Sequence, residues 1–454
     1  MTPTTDGRRA LQGRVQLVLP PVSTEVGAAL DALCGGLHGA DELTGLASRA
    51  GVADAATLQL LLKALGTHGA LSRTLLSEGI PLATLTPATP RASGPGPGQG
   101  VRHTLSRFAF TRPVDGGTVL ETPLSATRVW MPTWHGPALL GALATPRSSE
   151  ELGALVPGIS TEAVTVFLRM LAEAGVLTEA GPDGAPHESE ALTTWEFHDL
   201  LFHSRSRWPP REGGTGATYR FRDRVPKPPE KKEPPSGEML ALPVPDLAEA
   251  RRRDPPFTEV LERRRSIREH GPRRVTLAEL GELLYRAVGE RQAALQGGPV
   301  REARPYPAGG GLYESEVYVI AHQCEGLERG LYSYRPENHA LYRMTGATPE
   351  VEQLLKGAVT GAALSESPQV LLVLTARFAT VAWKYESMAY ALMLKHVGVI
   401  FQTLYMVATA MGLAPCALGG GRADVFARAS GLDPLVEGSV GEFLLGAPRD
   451  TSKS

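Results

Sequence analysis

A cluster of arginines around one serine is the first feature of the sequence that could bind a ligand. The cluster surrounds Ser266 and consists of Arg263, Arg264, Arg265, Arg268, Arg273 and Arg274. Guanidinium groups can bind a phosphate through paired hydrogen bonds. The same cations also lie at the end of a helix predicted from Thr258, where they would stabilise the helix dipole without any ligand. Charge alone therefore leaves both a phosphate site and a plain helix end open.

A run of three glycines precedes a predicted strand. The segment Arg304–Glu316 reads RPYPAGGGLYESE and leads into the strand predicted at Val317–Ala321. Glycines let a flat ligand approach the backbone closely, so that the amides can donate to its polar edge. The segment has neither the Gly-Lys-Ser/Thr of a P-loop nor the spacing of a dinucleotide-binding turn. It indicates either a ligand loop or a tight turn into the strand.

A lysine and a tyrosine stand side by side at Lys384 and Tyr385, where a helix through Met411 is predicted to begin. A free phenol with a pKa of ~10 is a poor base at neutral pH. An adjacent ammonium favours the phenolate and desolvation lowers the pKa of lysine, so either group could accept a proton. The structural alternative is that Lys384 pairs with Glu386 or a backbone carbonyl while Tyr385 only packs.

The predicted helix is apolar on nearly every side, which requires burial in a core or in a subunit interface. Lys395, His396 and Gln402 interrupt the apolar run, so a buried helix is favoured over a membrane span. We interpret His396 as a buried, hydrogen-bonded histidine. The helix is followed by a turn at Gly419–Gly421, and strands are predicted at Val370–Thr375 and Glu442–Leu445.

Length and composition indicate a globular protein of two or three domains. The chain has 454 residues and a formal net charge of −2, which disfavours a non-specific nucleic-acid binder or a protein held at a membrane by charge. Cys34, Cys324 and Cys416 are too few and too far apart for a disulfide framework or a zinc site. We therefore expect a cytoplasmic protein without a metal site, and the N-terminus shows no signal-peptide pattern.

Proline- and glycine-rich segments suggest how the chain is divided. The stretch Ser93–Gly100 reads as a flexible linker, and Val225–Gly237, VPKPPEKKEPPSG, is the best candidate domain boundary. A glycine-containing break near Gly181–Gly184 ends a helical region. The segment Trp195–Arg207 is predicted to form an amphipathic helix that clamps one domain on the next.

Two stretches before the boundary look like a repeat, Gly36–Ser72 and Ala142–Thr178. Each combines a short helix, a glycine-bearing turn, a longer helix and a short β segment, which is the order of a winged helix. The longer helices carry little positive charge, namely Lys63 in one and Arg169 in the other. DNA binding is therefore disfavoured, and peptide docking on an edge strand is the preferred use.

Four motifs in order, RRSIR, PYPAGGGLYESE, WKYESMAYALMLKHVG and GLAPCALGGG, resemble the nitroreductase-like flavoenzymes. The closer resemblance is to their azoline-oxidising branch, the SagB-type or McbC-type dehydrogenases that make thiazoles and oxazoles in ribosomal peptide natural products. The match covers Pro256–Pro448. The Trp195 segment and the two winged-helix-like modules resemble the N-terminal extension of cyanobactin-type azoline oxidases, whose modules are similar to leader-peptide recognition elements.

The resemblance implies an α+β fold with a C-terminal nitroreductase-like FMN domain. That domain would hold a mixed, mostly antiparallel sheet flanked by helices, would be dimeric, and would follow two small winged-helix-like modules. The expected divisions are a first module at 1–92, a second at 101–190, a connecting helical segment at 191–224, a Pro-rich linker at 225–255 and the catalytic domain at 256–450.

The resemblance also implies the site residues. Phosphate and ribityl oxygens of FMN would be held by Arg264, Arg265, Ser266 and Arg268. The loop Pro307, Ala308, Gly309 and Gly310 would pass beside the isoalloxazine, commonly from the partner subunit, and Gly419 and Gly420 would place backbone N–H groups near flavin N5. Ala308 departs from the serine that is usual in the family, which removes one hydrogen bond to the flavin.

The implied reaction is the aromatisation of a thiazoline or oxazoline in a heterocyclised precursor peptide. A hydride would pass to flavin N5, a proton to Lys384 or Tyr385, and O₂ would reoxidise the flavin. The implied partners are a second copy of the chain and a cyclodehydratase, with no nucleic acid and no membrane.

Two alternatives remain: an oxidase of azolines carried on a nonribosomal peptide synthetase, and a flavin-free scaffold protein. Binding of a leader peptide or of a carrier protein separates the first alternative, and the colour of the purified protein separates the second.

Overall fold

The chain forms two compact units, Met1–Arg207 and Trp208–Ser454, in a computed structural model. The structure describes residues 2–3, 9–11, 17–36, 38–39, 42–43, 45, 48, 51–68, 70–86, 100–181, 187–207, 214–294 and 300–449. Most of the predicted linker at 93–100, and part of the predicted break at 181–184, lie outside the described residues. The two units divide between Arg207 and Trp208, before the boundary that was predicted in the Pro-rich segment Val225–Gly237.

The N-terminal unit is a mixture of short helices and strands. Its helices are α1 (Thr24–Gly35), α2 (Val52–Thr67), α3 (His135–Ala142), α4 (Ser149–Gly153), α5 (Thr161–Ala174) and α6 (Phe197–Ser206). Its strands are β1 (Thr2–Pro3), β2 (Arg9–Leu11), β3 (Leu17–Leu19), β4 (Arg73–Ser77), β5 (Ile80–Thr86), β6 (His103–Leu105), β7 (Phe110–Val114), β8 (Gly117–Thr122), β9 (Ser125–Met131) and β10 (Leu177–Glu179).

The two predicted modules share one sheet. Its strand order is β4-β5-β9-β8-β7, so strands from the first module pair with strands from the second. Leu82 and Leu85 from β5 are buried in the same core as Phe167 and Leu171 from α5. The structure therefore differs from the prediction of two separate modules, because neither half of this sheet buries its apolar face alone.

Serine side chains cap both helices in the second copy of the repeat. Ser148 caps α4 in a capping box with Glu151, and the Ser160 hydroxyl accepts from the Ala163 N–H at the start of α5. These hydroxyls satisfy amides that have no partner inside the helix. The equivalent short helix of the first copy falls largely outside the described residues.

The predicted amphipathic helix is observed as α6, and it is anchored by one buried residue and one ion pair. Leu200 is buried, and the Arg205 guanidinium lies 3.0 Å from the buried Glu121 carboxylate. Burial alone would raise the pKa of Glu121, but Arg112 and Arg205 bring that pKa below its ordinary value. Helix α6 is therefore held against the five-stranded sheet of its own unit.

The C-terminal unit is built around a large sheet. Its helices are α7 (Leu247–Arg253), α8 (Phe257–Arg263), α9 (Leu277–Val288), α10 (Pro349–Ala362), α11 (Phe378–Ala382), α12 (Ala389–Ala410) and α13 (Ala423–Ser430). Its strands are β11 (Met239–Ala241), β12 (Val275–Thr276), β13 (Arg291–Ala294), β14 (Val300–Ala303), β15 (Ser315–Ala321), β16 (Cys324–Glu325), β17 (Gly330–Arg335), β18 (Ala340–Thr345), β19 (Val370–Arg377), β20 (Ala414–Ala417) and β21 (Glu437–Gly446).

Seven strands form the central sheet in the order β11-β18-β17-β15-β19-β21-β20, and each neighbouring pair is antiparallel. The three strands predicted in this half are confirmed as parts of β15, β19 and β21. The α+β prediction with a mostly antiparallel sheet is also confirmed. The parallel pair among the described strands, β12 with β16, lies outside this sheet.

The sheet is buried on both faces, since every residue of β15 is buried. Val317 and Val319 pack with residues of α9 and α12, whereas Tyr318 and Ile320 pack with residues of α10 and α13. Alternate side chains of a strand point to opposite faces. The sheet is therefore the middle layer between two helical layers.

The Pro-rich segment is ordered against this unit rather than free as a linker. Arg377 donates to the carbonyl oxygens of Pro229 and Glu230 at 2.9 and 2.8 Å, and Arg335 donates to that of Glu233 at 3.1 Å. Strand β11 then adds to the sheet edge. The segment buries no large apolar side chain, since Val225 is exposed, so it is held through its carbonyl groups, which composition does not reveal.

Lys232 of this segment reaches a buried carboxylate. Its ammonium lies 2.6 Å from Glu437 and 2.9 Å from the Tyr318 hydroxyl. Burial alone would raise the pKa of Glu437, but the bond and charge of Lys232 and the hydroxyls of Tyr318 and Thr375 bring that pKa below its ordinary value. The folded protein therefore gains stability from the charged form of Glu437.

We expect Lys232→Met to lower the free energy of unfolding by about 2 kcal/mol, less than the ~3–5 kcal/mol for a fully buried pair because Lys232 keeps some exposure. Lys227→Met, which removes an exposed pair with Glu230, is the control and should cost well under ~1 kcal/mol. Urea denaturation measures both variants. Because the pKa of Glu437 is lowered, the difference from the parent should be complete at neutral pH and shrink below pH ~4.5. Equal losses in the two variants would contradict the role given to Lys232.

Candidate active site

Lys384 and Tyr385 lie in a turn between α11 and α12. The prediction that they open the long helix is wrong, because α12 begins at Ala389. The turn contains Ser387 with a left-handed φ of 64°, and Glu386 forms a backbone bridge with Gly216. That bridge uses the backbone groups of Glu386 that would otherwise enter a helix, so the helix is interrupted.

The glycine loop meets this pair directly. Gly310 has a φ of +68°, and a carbon added at its Cβ position would lie 2.5 Å from both Lys384 Nζ and the Tyr385 hydroxyl. Glycine is therefore favoured here by conformation, and any larger residue would displace the ends of these two side chains. The structure brings together the loop Pro307–Gly310 and the pair Lys384–Tyr385, which are separated by more than seventy residues in the sequence.

A buried histidine holds the glycine loop. His396 Nε2 accepts a hydrogen bond from the Gly309 N–H at 2.7 Å, and His396 Nδ1 lies 2.9 Å from Glu314 Oε1. Since Nε2 accepts, the ring proton belongs on Nδ1 and is donated to Glu314. The prediction of a buried, hydrogen-bonded histidine is confirmed, and its partners show that it also positions the loop.

Lys384 and Glu386 do not form the pair that the structural alternative supposes. The Glu386 carboxylate accepts from Thr218 Oγ1 at 2.8 Å and lies 3.6 Å from the Arg220 guanidinium. Lys384 Nζ lies 5.2 Å from the centre of the Tyr385 ring. The ammonium and the phenol therefore face each other beside Gly310 rather than being drawn away by the neighbouring acid.

The arginine cluster lies at the other end of α12. Ser266 Oγ lies 2.7 Å from the Tyr405 hydroxyl, which also accepts from the Ala417 N–H at 2.7 Å. The Arg264 guanidinium lies 5.3 Å from the centre of the Tyr405 ring. Arg265 and Arg268 are exposed. The cluster is thus fixed to α12 and β20 with its cations toward the surface.

Gly419 and Gly420 line an open cleft of about 360 Å³ beside α12. A carbon added at either Cβ position would meet no atom within 4 Å, so the backbone of this turn is accessible to a ligand. The cleft is also lined by Tyr390, Phe401 and Glu442. The predicted turn therefore borders a space that has room for a ligand.

Two acidic residues of the site were missed by the sequence reasoning. Glu314 holds His396, and Glu442 lies in the cleft against Gly421. Burial raises the pKa of Glu442, and the Ser439 hydroxyl opposes this only in part. The available signal for Glu442 was an acid directly before a run of apolar residues, as in VGEFLLG. A charged residue is rarely buried unless another group pairs with it.

The three groups of candidate residues are arranged along one helix. The pair lies just before α12, the glycine loop is held at His396, and Ser266 is held at Tyr405. With a rise of ~1.5 Å per residue, the last two supports are about 13 Å apart. The pair and the loop therefore meet within one chain, whereas the arginine cluster stands apart from them along the helix.

Residues 261–446 match the model of the Nitroreductase family. The C-terminal unit contains a nitroreductase-family domain. Residues 103–211 match the model described as cyanobactin oxidase ThcOx. The two matches support an oxidoreductase, and members of the nitroreductase family typically bind a flavin. This chain thus combines a nitroreductase domain with a cyanobactin-oxidase region.

Individual relatives match mainly the nitroreductase domain. A protein of Methanocaldococcus jannaschii that carries a nitroreductase name is 28% identical over 184 residues, which are 40% of this chain and 85% of that protein. A solved nitroreductase-type structure from Ralstonia eutropha is 22% identical and covers 50% of this chain and 100% of its own, with a TM-score of 0.37.

Two further solved structures are similar over a little more than half of this chain. One, from Anabaena variabilis, is 23% identical over 54% of this chain but only 45% of its own, with a TM-score of 0.38. The other is the Escherichia coli microcin synthetase McbBCD complex with truncated pro-MccB17 bound, which is 21% identical over 58% of this chain and 99% of its own, with a TM-score of 0.36.

We expect His396→Leu to lower the free energy of unfolding by about 3 kcal/mol, because the buried Glu314 carboxyl loses its partner. His339→Leu is the control: His339 is also buried, but its partners are the neutral Tyr334 hydroxyl and the Pro243 carbonyl, so the cost should be about 1–2 kcal/mol. Urea denaturation measures both variants. The double variant Glu314→Leu/His396→Leu should recover part of the loss, and no recovery would contradict the pairing.

Proposed function

We propose that the protein is an FMN-dependent azoline dehydrogenase that converts thiazoline or oxazoline rings of a ribosomally made, heterocyclised peptide into thiazoles or oxazoles. The observation that carries the proposal is the meeting of Lys384 Nζ and the Tyr385 hydroxyl at Gly310. This meeting occurs in a nitroreductase domain that is joined to a cyanobactin-oxidase region. A generic flavin reductase has no need of a paired ammonium and phenol at that position.

The residues present fit FMN. The exposed guanidinium groups of Arg265 and Arg268 suit a phosphate. Tyr405 already accepts from the Ala417 N–H, so its own proton can go to Ser266 Oγ and leave the serine proton for a ligand oxygen. The open backbone of Gly419 and Gly420 offers amides to a flat ring. Bound FMN would supply the two-electron acceptor that takes the hydride and passes electrons to O₂.

The protein's own part in the reaction is proton transfer. Aromatisation removes a hydride and a proton from adjacent ring carbons, and the proton goes to Lys384 or Tyr385. The amine and the phenol lie together at Gly310, so either one is placed to accept this proton. The loop at Gly309 and Gly310 keeps these atoms on the substrate side.

We further propose that the chain acts as a homodimer through α12. Among the described residues, α12 is the one helix whose length and composition would allow it to cross a membrane. Its partial burial and its groove suit a subunit interface better. Only 39% of its most apolar window is buried within the chain. Its exposed side forms a groove at Gly398, Val399, Gln402, Thr403, Met406 and Val407. A second copy of the chain would cover this apolar surface.

We assign docking of the precursor peptide to the N-terminal unit. Its match to the cyanobactin-oxidase model covers residues 103–211. Its five-stranded sheet has two edge strands, β4 and β7, and an extended peptide can pair with such an edge. A cyclodehydratase that supplies the heterocycle would be the partner in the preceding step.

The first test compares Lys384→Ala and Tyr385→Phe with the parent on an azoline-containing peptide. General base catalysis contributes about 10²–10⁴-fold, so we expect losses of that order in kcat with the yellow FMN retained. Lys356→Ala, an exposed lysine on α10, is the control and should keep the parent rate. Oxidation at the parent rate by both variants would show that the base is assigned wrongly. A colourless protein that takes up no FMN would support the scaffold alternative.

The second test uses two adjacent glycines with the same backbone conformation. Gly310 and Gly311 both have a φ of +68°, but an added carbon meets Lys384 and Tyr385 only at Gly310. Gly310→Ala and Gly311→Ala should both lower stability by about 1 kcal/mol from left-handed strain. Only Gly310→Ala should also lower the azoline oxidation rate, by at least ~10-fold. An equal loss of rate in both variants would show that the contact of Gly310 with Lys384 and Tyr385 does not affect the reaction.

A further inference from the structure

Residues 214–225 form a strap across the turn that carries Lys384 and Tyr385. The strap lies between the two matched regions, 103–211 and 261–446, and belongs to neither. Gly216 and Glu386 exchange backbone hydrogen bonds at 2.9 and 3.3 Å, and the Tyr219 N–H donates to the Lys384 carbonyl at 3.2 Å. The strap therefore pairs with the turn as a short antiparallel ladder does.

Side chains reinforce this pairing on both sides of the catalytic pair. Trp383 Nε1 donates to the Val225 carbonyl at 2.8 Å, and Ser387 Oγ donates to the Gly214 carbonyl at 3.0 Å. Glu386 accepts from Thr218 Oγ1 at 2.8 Å. The side chains of the turn on either side of the pair are thus bonded to the strap, while the ends of Lys384 and Tyr385 face Gly310.

Tyr219 brings an aromatic ring from the strap to the same place. Its ring centre lies 5.9 Å from Lys384 Nζ, and it packs edge-on against Trp383 at 5.9 Å. Its φ of 54° is left-handed, which an aromatic residue adopts only where its surroundings hold it. The strained backbone at Tyr219 and the two hydrogen bonds at Gly216 together show that the strap has a defined conformation.

Glu386 is the point at which the strap controls the turn. Its side chain is 13% exposed, accepts a hydrogen bond from Thr218 and lies 3.6 Å from the Arg220 guanidinium, rather than pairing with Lys384 two residues earlier. If the carboxylate lost its bond to Thr218, it could turn toward the ammonium of Lys384, two residues earlier in the chain, and draw that ammonium from the phenol. The strap thus both fixes the backbone of the turn and keeps a competing acid occupied.

We propose that Thr218 and Glu386 are positioning residues, through which the strap holds Lys384 and Tyr385 at Gly310 in the geometry needed for proton removal. This inference rests on the proposed function, because it concerns the same reaction. It adds that the nitroreductase domain lacks a competent base unless residues 214–225 are docked on it. The strap would then distinguish ring oxidation from the general flavin chemistry of the domain.

The test is Thr218→Val, which keeps the shape of the side chain and removes its hydrogen bond. We expect FMN binding, the visible flavin spectrum and reoxidation by O₂ after dithionite reduction to match the parent. We expect kcat for the azoline peptide to fall about 10- to 100-fold, as a misplaced reacting group requires. Thr218→Ser, which restores the hydroxyl, should restore kcat, and Thr360→Val, which removes a hydroxyl bond on α10, should leave it unchanged.

A second measurement needs neither substrate nor turnover. A limiting pulse of acetic anhydride on the full-length protein labels lysines according to their environment, and mass spectrometry reads each site. The ratio of Lys384 to Lys356 labelling should change in Thr218→Val and return to the parent value in Thr218→Ser.

The outcomes separate this inference from the proposed function. A parent protein that binds FMN but leaves the azoline peptide unoxidised refutes the proposed function before any variant is compared. Parent values of both kcat and Lys384 labelling in Thr218→Val overturn the positioning role. Loss of FMN in Thr218→Val also overturns it, since the strap would then serve flavin binding. A Thr218→Ser variant as impaired as Thr218→Val shows that the hydroxyl is not responsible.

Discussion

The packing of α12 against the central sheet is the constraint on which the rest of the site depends. One side of this helix buries Val397, Ile400 and Leu404 in the same core as alternate residues of β15 and β19. Its position is therefore set by apolar burial along several turns, which is worth about 1.5–3 kcal/mol for each large side chain. Once α12 is placed, its polar residues have fixed directions. His396 then meets the glycine loop, and Tyr405 meets Ser266 and β20.

Charged groups inside this unit are used to hold irregular chain in place. Arg377 and Arg335 bind carbonyl groups of the Pro-rich segment, while both also pair with the buried Glu316. Burial raises the pKa of Glu316, and the two guanidinium groups oppose that rise. Lys232 and Glu437 repeat the arrangement nearby. The Pro-rich segment thus gains a defined path without burying large apolar side chains. Its groups pair with buried charges, which must be paired to be tolerated.

The order of the site along the chain explains how much of it could be predicted. The glycine run at Gly309–Gly311, the arginines beside Ser266 and the Lys384–Tyr385 pair are local patterns, and each was recognised from its neighbours in sequence. His396 was predicted to be buried and hydrogen-bonded, but its partners, Gly309 and Glu314, lie more than eighty residues earlier. The break before α12 was missed, since WKYESM contains no glycine or proline to mark it, and the backbone of Glu386 is instead drawn into the bridge with Gly216.

The sequence by itself determined three strands of the central sheet, the α+β class and the residue types available for phosphate, flavin and proton chemistry. These properties follow from side-chain period, local hydrogen bonding and composition, which act over a few residues. Only the tertiary structure decided that the two N-terminal modules share a sheet, that the Pro-rich segment is held down, and that residues 214–225 pair with the turn at Lys384 and Tyr385. Those outcomes depend on hydrogen bonds between backbone groups that are far apart in the chain. Backbone carbonyl and N–H groups hardly differ from one residue type to another, so the sequence does not mark which of them will pair.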